Sequence, residues 1–207
     1  MKKSNSTFKQ LNKKQRLQYI WDYYKIHIMA TVAIICIIIS IARTALSSKE
    51  INLYMAFVNF APTEAQAKQL TEAPNLKIST YSNLLITEDP DSDALEYAYA
   101  SSMKLMAAIN DDKLDLLVTD SFGIDMANSN EYLTNVDTYI RSIDSSLADS
   151  LTEHYIYDDN NQPYAIDLSF TPFFKKANFS DKIYLGIIAD EDKGNEEIQW
   201  IKYITSL

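Results

Sequence analysis

For 17 residues, from Ile26 to Ala42, the chain carries no Asp, Glu, Lys or Arg. As a helix this run would be about 26 Å long at about 1.5 Å per residue, near the short end of what crosses a hydrocarbon core. The β-branched stretch Ile34–Ile39 disfavours a helix in water. In lipid the backbone must satisfy itself, so a helix is the expected outcome there. Trp21, Tyr23 and Tyr24 suit one interface, and Arg43 can snorkel at the other.

Charge is divided by this run. Residues 1–25 hold seven basic residues against Asp22 alone, a net +6, whereas residues 43–207 hold 12 basic and 27 acidic residues, a net −15. A basic head, an uncharged middle and an acidic body predict a single-pass cell-membrane protein, with its N-terminus cytoplasmic and its C-terminal domain extracellular. Ser40-Ile41-Ala42 also fits a small-x-small cleavage site, so a cleaved signal peptide is the rival reading. The 25-residue head is long for a signal peptide and favours an uncleaved signal-anchor. Cys36 lies inside the apolar run without the small residues that a lipidation site needs before it, and it serves as a small hydrophobe.

The expected organisation is therefore a cytoplasmic basic juxtamembrane helix at 1–25, a transmembrane helix at 26–42, a linker at 43–50 and an extracytoplasmic α/β domain at 51–207. In the head, Thr7 and Gln10 have capping-box spacing, and Phe8, Leu11, Leu17, Ile20 and Tyr24 can share one face. With Lys13, Lys14 and Arg16 elsewhere on its surface, such a helix would lie on an anionic inner leaflet. Nucleic acid is not an expected partner, because a basic stretch abutting a span is a topology signal.

The body alternates strand and helix signals. Ile51–Phe60 is nearly continuous in apolar residues, as a doubly covered strand is. Pro62 opens a helix reaching Glu72, and Leu76, Ile78 and Thr80 alternate as a second strand that can continue to Ile86. Asp93 is expected to cap the next helix, with Leu95, Tyr99, Ser102, Met106 and Ile109 as its buried stripe. Leu114–Thr119 is a third strand, followed by a turn at 120–123 and a helix from about Ser129 with Leu133, Val136, Ile140 and Ile143 inward. Tyr155–Tyr157 and Tyr164–Leu168 flank a hairpin turn, Lys182–Ala189 is another strand, and Glu196–Thr205 a closing helix. This order predicts an α/β fold: a small mixed, mostly parallel sheet with helices on both faces.

Several chemistries are excluded. Three glycines, none at the needed spacing, rule out Gly-rich phosphate loops, and one Cys rules out a disulfide framework or Cys-rich zinc site. The acidic run Glu88–Asp93 places Ala94 and Ala100 where a calcium loop needs Gly and Glu, and Asp190–Gly194 fails similarly. His154 is the only His of the body, and no G-x-S-x-G elbow exists, so no enzyme is expected. No cofactor or metal is expected either. Asn178-Phe179-Ser180 has the form of a glycosylation acceptor, relevant only in a eukaryote.

Leu114–Asp120, followed by Tyr132-Leu133-Thr134-Asn135-Val136-Asp137-Thr138-Tyr139-Ile140, resembles extracellular solute-binding proteins of the type II periplasmic class. Tyr164–Ser169 is similar to that family's "YAIPL" strand, and Tyr184–Ala189 before Glu196–Thr205 to its C-terminal strand and helix. The head around Trp21–Lys25 resembles small membrane-anchored bacterial proteins. The resemblance implies a reduced periplasmic-binding-protein-like fold, since the 165 residues of the body are far fewer than the family's two lobes.

Ligands of open α/β sheets bind beyond the carboxyl ends of strands. That rule selects Asn59 and Phe60, Ser82 and Asn83, then Asp120, Ser121 and Phe122, and finally Asp167, Ser169, Phe170 and Thr171. Together they offer carboxylates, hydroxyls and rings that could orient a small polar solute. The competing reading makes Asp120 a cap, Ser169 and Thr171 turn residues, and Phe122 and Phe170 core. The expected function is non-catalytic recognition of a small polar solute or an envelope partner. The alternative is a structural or assembly protein that docks onto other membrane proteins without a small ligand.

Overall fold

A computed structural model describes Trp21 and residues 24–27, 29–39, 51–89, 93–177, 179–188 and 194–207. Two compact units divide the chain, Met1–Glu50 and Ile51–Leu207. In the first, residues 24–27 and 29–39 are helical and exposed, with the Thr31 hydroxyl donating to the His27 carbonyl at 2.8 Å. Among the described residues no helix is long and apolar enough to cross a membrane. Ile28 and residues 40–42 of the charge-free run lie outside them. So do the head at 1–20, the linker at 43–50, Asn178, residues 90–92 of the first acidic run and 190–193 of the second.

The second unit is a three-layer α/β fold. Its elements are β1 (Leu53–Val58), α1 (Glu64–Thr71), β2 (Ile78–Leu84), α2 (Leu95–Asn110), β3 (Leu116–Thr119) and α3 (Ser121–Ser129). They continue with α4 (Val136–Ile143), α5 (Ser145–Leu151), β4 (Tyr155–Tyr157), β5 (Pro163–Asp167), α6 (Pro172–Ala177), β6 (Tyr184–Ile187) and α7 (Gly194–Ser206). One six-stranded sheet runs in the order β2-β1-β3-β6-β5-β4. β1 pairs in parallel with β2 and β3, whereas β3–β6, β6–β5 and β5–β4 are antiparallel.

The sheet is therefore mixed, and the expectation of a mostly parallel one is corrected. A parallel neighbour needs a crossover that carries the chain back to the opposite end of the strands. The chain leaving β5 instead turns through a short 3₁₀ segment and α6 and re-enters as β6 at the same end of the sheet.

Continuous apolar strands put a core on each face. Leu53, Met55, Phe57, Leu116, Val118, Leu185 and Ile187 point into one layer, covered by α1, α4, α5, α6 and α7. Ala56, Val58, Leu117 and Ala165 point into the other, covered by α2 and α3. In the first layer Trp200 is fully buried, and its indole N–H donates to the Leu70 carbonyl at 2.9 Å, fastening α7 to α1. Thr63 and Gln66 form a capping box at the start of α1.

Three local expectations are corrected. Ala94, without a side-chain cap bond, precedes α2 in place of Asp93. The buried face of α2 is Ala98, Ser101, Leu105 and Ala108; of the expected stripe, Leu95, Tyr99 and Met106 are exposed, whereas Ser102 and Ile109 are half-buried, Ile109 against the second core layer. Small residues let the helix approach the sheet closely, and that outweighs the larger stripe. Finally, residues 120–123 are the start of α3, and the helix expected from Ser129 begins at Val136, with Ile143 exposed.

Candidate functional site: the crevice between β1 and β3

β1 leads into α1 on one face of the sheet and β3 into α3 on the other. Where adjacent strands send their chains to opposite faces, the ends part and leave a crevice. Here it measures about 540 Å³ and is lined by Asn59, Phe60, Ala61, residues 83–87, Tyr97 and Asp120.

Asn59 organises it. The residue takes a left-handed conformation (φ 53°) just past β1, one that Asn tolerates better than most side chains. Its backbone N–H donates to the Leu84 carbonyl at 2.9 Å. Its side chain then behaves like one more strand residue: Oδ1 accepts from the Ile86 N–H at 2.7 Å, and Nδ2 donates to the Ile86 carbonyl at 3.0 Å. Nδ2 also lies 3.2 Å from both carboxylate oxygens of Asp120.

Asp120 is the N-cap of α3. Its Oδ1 accepts from the Gly123 N–H at 2.8 Å and from the Thr119 hydroxyl at 3.3 Å. Half-buried Asp120 thus combines capping with a place in the crevice wall. Asn83 (φ 58°) sits where the β1–β2 register slips, Ala56 facing Tyr81 but Val58 facing Leu84. The extra residue is a bulge that bends the strand end toward α2, where the Tyr97 hydroxyl donates to the Asn83 carbonyl.

Of the residues selected from the sequence, Asn59, Phe60, Asn83 and Asp120 meet in this crevice. Ser82 and Ser121 are exposed beside it, and Phe122 packs, half-buried, against the second core layer. Asp167, Ser169 and Phe170 lie apart. Thr119 pairs with Tyr184 and Tyr184 with Asp167, so two strand spacings, about 10 Å, intervene. There Asp167 accepts from the Ser169 N–H at 2.9 Å and from the Lys182 ammonium at 3.1 Å. Burial pushes its carboxyl up, but these hydrogen bonds win and hold it below its ordinary value. Ser169 and Lys182 line a separate hollow of about 250 Å³ with Phe174, Lys175 and Phe179. Phe170 stacks flat on the His154 ring at 3.6 Å, and Thr171 is buried.

Tyr97 was not selected from the sequence. It stands off the apolar stripe of α2, and the Asn83 bulge that brings it to the crevice has no signal beyond the Asn itself. Among the described residues no three His, Cys, Asp or Glu side chains converge as metal ligands. No protein-family model, curated protein or solved structure matches the chain, so the resemblance to solute-binding proteins rests on the sequence phrases that carry it.

Proposed function

We propose that the chain is a single-span, signal-anchored membrane protein whose outer α/β domain recognises a small polar solute, without catalysis, in the β1–β3 crevice. The observation that carries the solute reading is the coincidence of the crevice with Asn59 and Asp120 at the topological switch point. The membrane reading is supported by the charge-free run and the +6 to −15 asymmetry across it. It is also supported by Ile34, Ile35, Ile37, Ile38 and Ile39, which stand exposed around the helix and need an apolar surrounding.

Two measurements test it. Protease added to intact cells should digest the C-terminal domain and spare the basic head; protection of the domain would reverse the topology. A thermal-shift screen of the full chain in detergent should find a solute class that raises the melting temperature. A ligand at about 100 times its dissociation constant adds about 2.7 kcal/mol, a rise of about 5–10 °C for a domain of this size.

A second reading, docking onto another membrane protein, is favoured by one observation. Leu95, Tyr99, Met103 and Met106 form an exposed stripe along α2, 43–69% accessible. The double variant Met103→Glu and Met106→Glu should abolish a co-purifying partner under this reading and leave solute binding intact.

A further inference from the structure

Resting on the solute reading above, we propose that the crevice is selective for cationic amines: an ammonium group on an aliphatic stem. The argument starts from which hydrogen-bonding groups are already engaged. Asn59 directs its Nδ2 donors at the Ile86 carbonyl and Asp120, and its Oδ1 takes the Ile86 N–H. The Tyr97 proton goes to the Asn83 carbonyl. An anionic guest would need donors: Asn59 and Tyr97 have committed theirs, which leaves the neutral Asn83 amide and Thr87 hydroxyl and no cationic side chain in the lining.

Helix N-termini would ordinarily favour an anion. Three helices begin beside the crevice: α2, whose first turn carries Tyr97, has no side-chain cap but bears Glu96 in that turn, and the other two are capped by their own side chains. Asp120 itself takes the Gly123 N–H of α3, and the Thr63–Gln66 box occupies the start of α1.

The acceptors, by contrast, have capacity left. The Asp120 carboxylate can accept about four hydrogen bonds. Oδ1 takes Gly123 and Thr119, while Oδ2 meets the shared Asn59 amide. The Tyr97 oxygen, having donated, keeps lone pairs.

Charge agrees with this inventory. Within two residues of any lining residue the sequence places Glu88, Asp89, Glu96 and Asp120, and no Lys, Arg or His. A concave surface with charge of one sign focuses the field and concentrates cations. Phe60, Ala61 and Leu85 supply an apolar wall for the stem.

The test uses three probes of one length: 1,5-diaminopentane, 1,5-pentanediol and glutarate. They are titrated calorimetrically into the full chain in nanodiscs of zwitterionic lipid, with empty nanodiscs as the blank. The diamine should bind at least about tenfold more tightly than the other two. Asp120→Asn keeps a capping oxygen and removes the charge, but it turns an amide toward the Asn59 amide, so it should lower the melting temperature less than Asp120→Ala does and weaken the diamine at least about tenfold. Glu96→Gln should weaken it less, by about two- to threefold, and that effect should vanish in high salt.

Equal or tighter binding of the diol or glutarate, sensitive to Asn59→Gly, would overturn amine selectivity and leave the solute reading standing. Heat from none of the three, with a flat thermal-shift screen, would overturn both. Diamine binding unchanged in Asp120→Asn would place the amine elsewhere and overturn the proposal.

Discussion

The Asn59 carboxamide nitrogen stands 3.2 Å from both oxygens of Asp120, joining the ends of two parallel strands whose chains leave on opposite faces of the sheet. The same amide group pairs with both backbone groups of Ile86. The crevice floor is therefore one bonded unit running from β2 through β1 to α3.

That unit should behave as one in unfolding experiments. Asp120→Ala removes an N-cap and is expected to destabilise by about 1 kcal/mol. Asn59→Ala removes the hydrogen bonds to three groups, the Ile86 N–H, the Ile86 carbonyl and the Asp120 carboxylate, and adds left-handed strain, for about 2–3 kcal/mol. Asn59→Gly should recover about 1 kcal/mol of that, because Gly accepts the conformation freely. In a double-mutant cycle by chemical denaturation, a coupling of about 0.5–3 kcal/mol is expected; strict additivity would mean that the Asn59–Asp120 contact holds nothing together.

Gly123 is required by close approach. A Cβ built there would lie 2.0 Å from the hydroxyl oxygen and 3.1 Å from the Cβ of Thr119, a fully buried residue. Gly123→Ala should therefore destabilise by about 1–3 kcal/mol despite alanine's better helix propensity. Adding Thr119→Ala removes the hydroxyl clash and should recover part of the loss. If the double variant melts no higher than Gly123→Ala alone, the clash with Thr119 is not the cause.

The alternation of elements was legible because each strand carries an apolar pattern and each closing helix a stripe. Ile198, Ile201 and Ile204 recur at helical spacing and are buried on one side of α7. The face of α2 was not legible, since hydrophobicity points to Leu95, Tyr99 and Met106, whereas close packing selected Ala98, Ser101, Leu105 and Ala108. α3 was hidden for a related reason: Asp120-Ser121-Phe122-Gly123 has turn composition, and only the Asp120–Gly123 cap bond reveals a helix start. At the site, Asn59 and Asp120 followed from their places after strands. Tyr97 depended on a bulge, and the separation of Asp167 followed from a strand order that local sequence does not encode.

Trp200 tests how the last helix is held. Its ring is fully buried and its N–H reaches the Leu70 carbonyl at 2.9 Å, while the neighbouring Tyr203 hydroxyl reaches the Gln69 carbonyl at 2.8 Å in a more accessible setting. Trp200→Phe leaves a buried carbonyl unmet and a partial cavity, for about 2–4 kcal/mol. Tyr203→Phe leaves a carbonyl that water can reach, so about 0.5–1 kcal/mol is expected. Equal losses in thermal melts would show that the hydrogen bonds, rather than burial, govern the docking of α7 on α1.

Stability should fall at both ends of the pH scale, for opposite reasons. Burial pushes the Tyr155 phenol from its ordinary 10.0 up to about 12, with the Asp137 charge adding to the effect and Arg141 opposing it. Burial, and then the hydrogen bond to Asp125, likewise raises Tyr164. Between pH 10 and 12 the unfolded chain releases these phenolic protons before the folded one does. Their contribution is therefore complete below pH 10 and is lost as pH rises through the folded values. At the acid end, Asp144 is held low by hydrogen bonds from Lys202 and the Leu147 N–H, and Asp167 is held low against burial by Ser169 and Lys182. Each favours the folded state above the ordinary value of 3.8, and that advantage disappears as pH falls through the lowered values. Melting temperature against pH should thus give a plateau with two descending limbs. Tyr155→Phe should flatten the limb above pH 10 and leave the acid limb unchanged, whereas Asp167→Asn should do the reverse. A variant that moved both limbs together would point to a general loss of packing instead of these titrations.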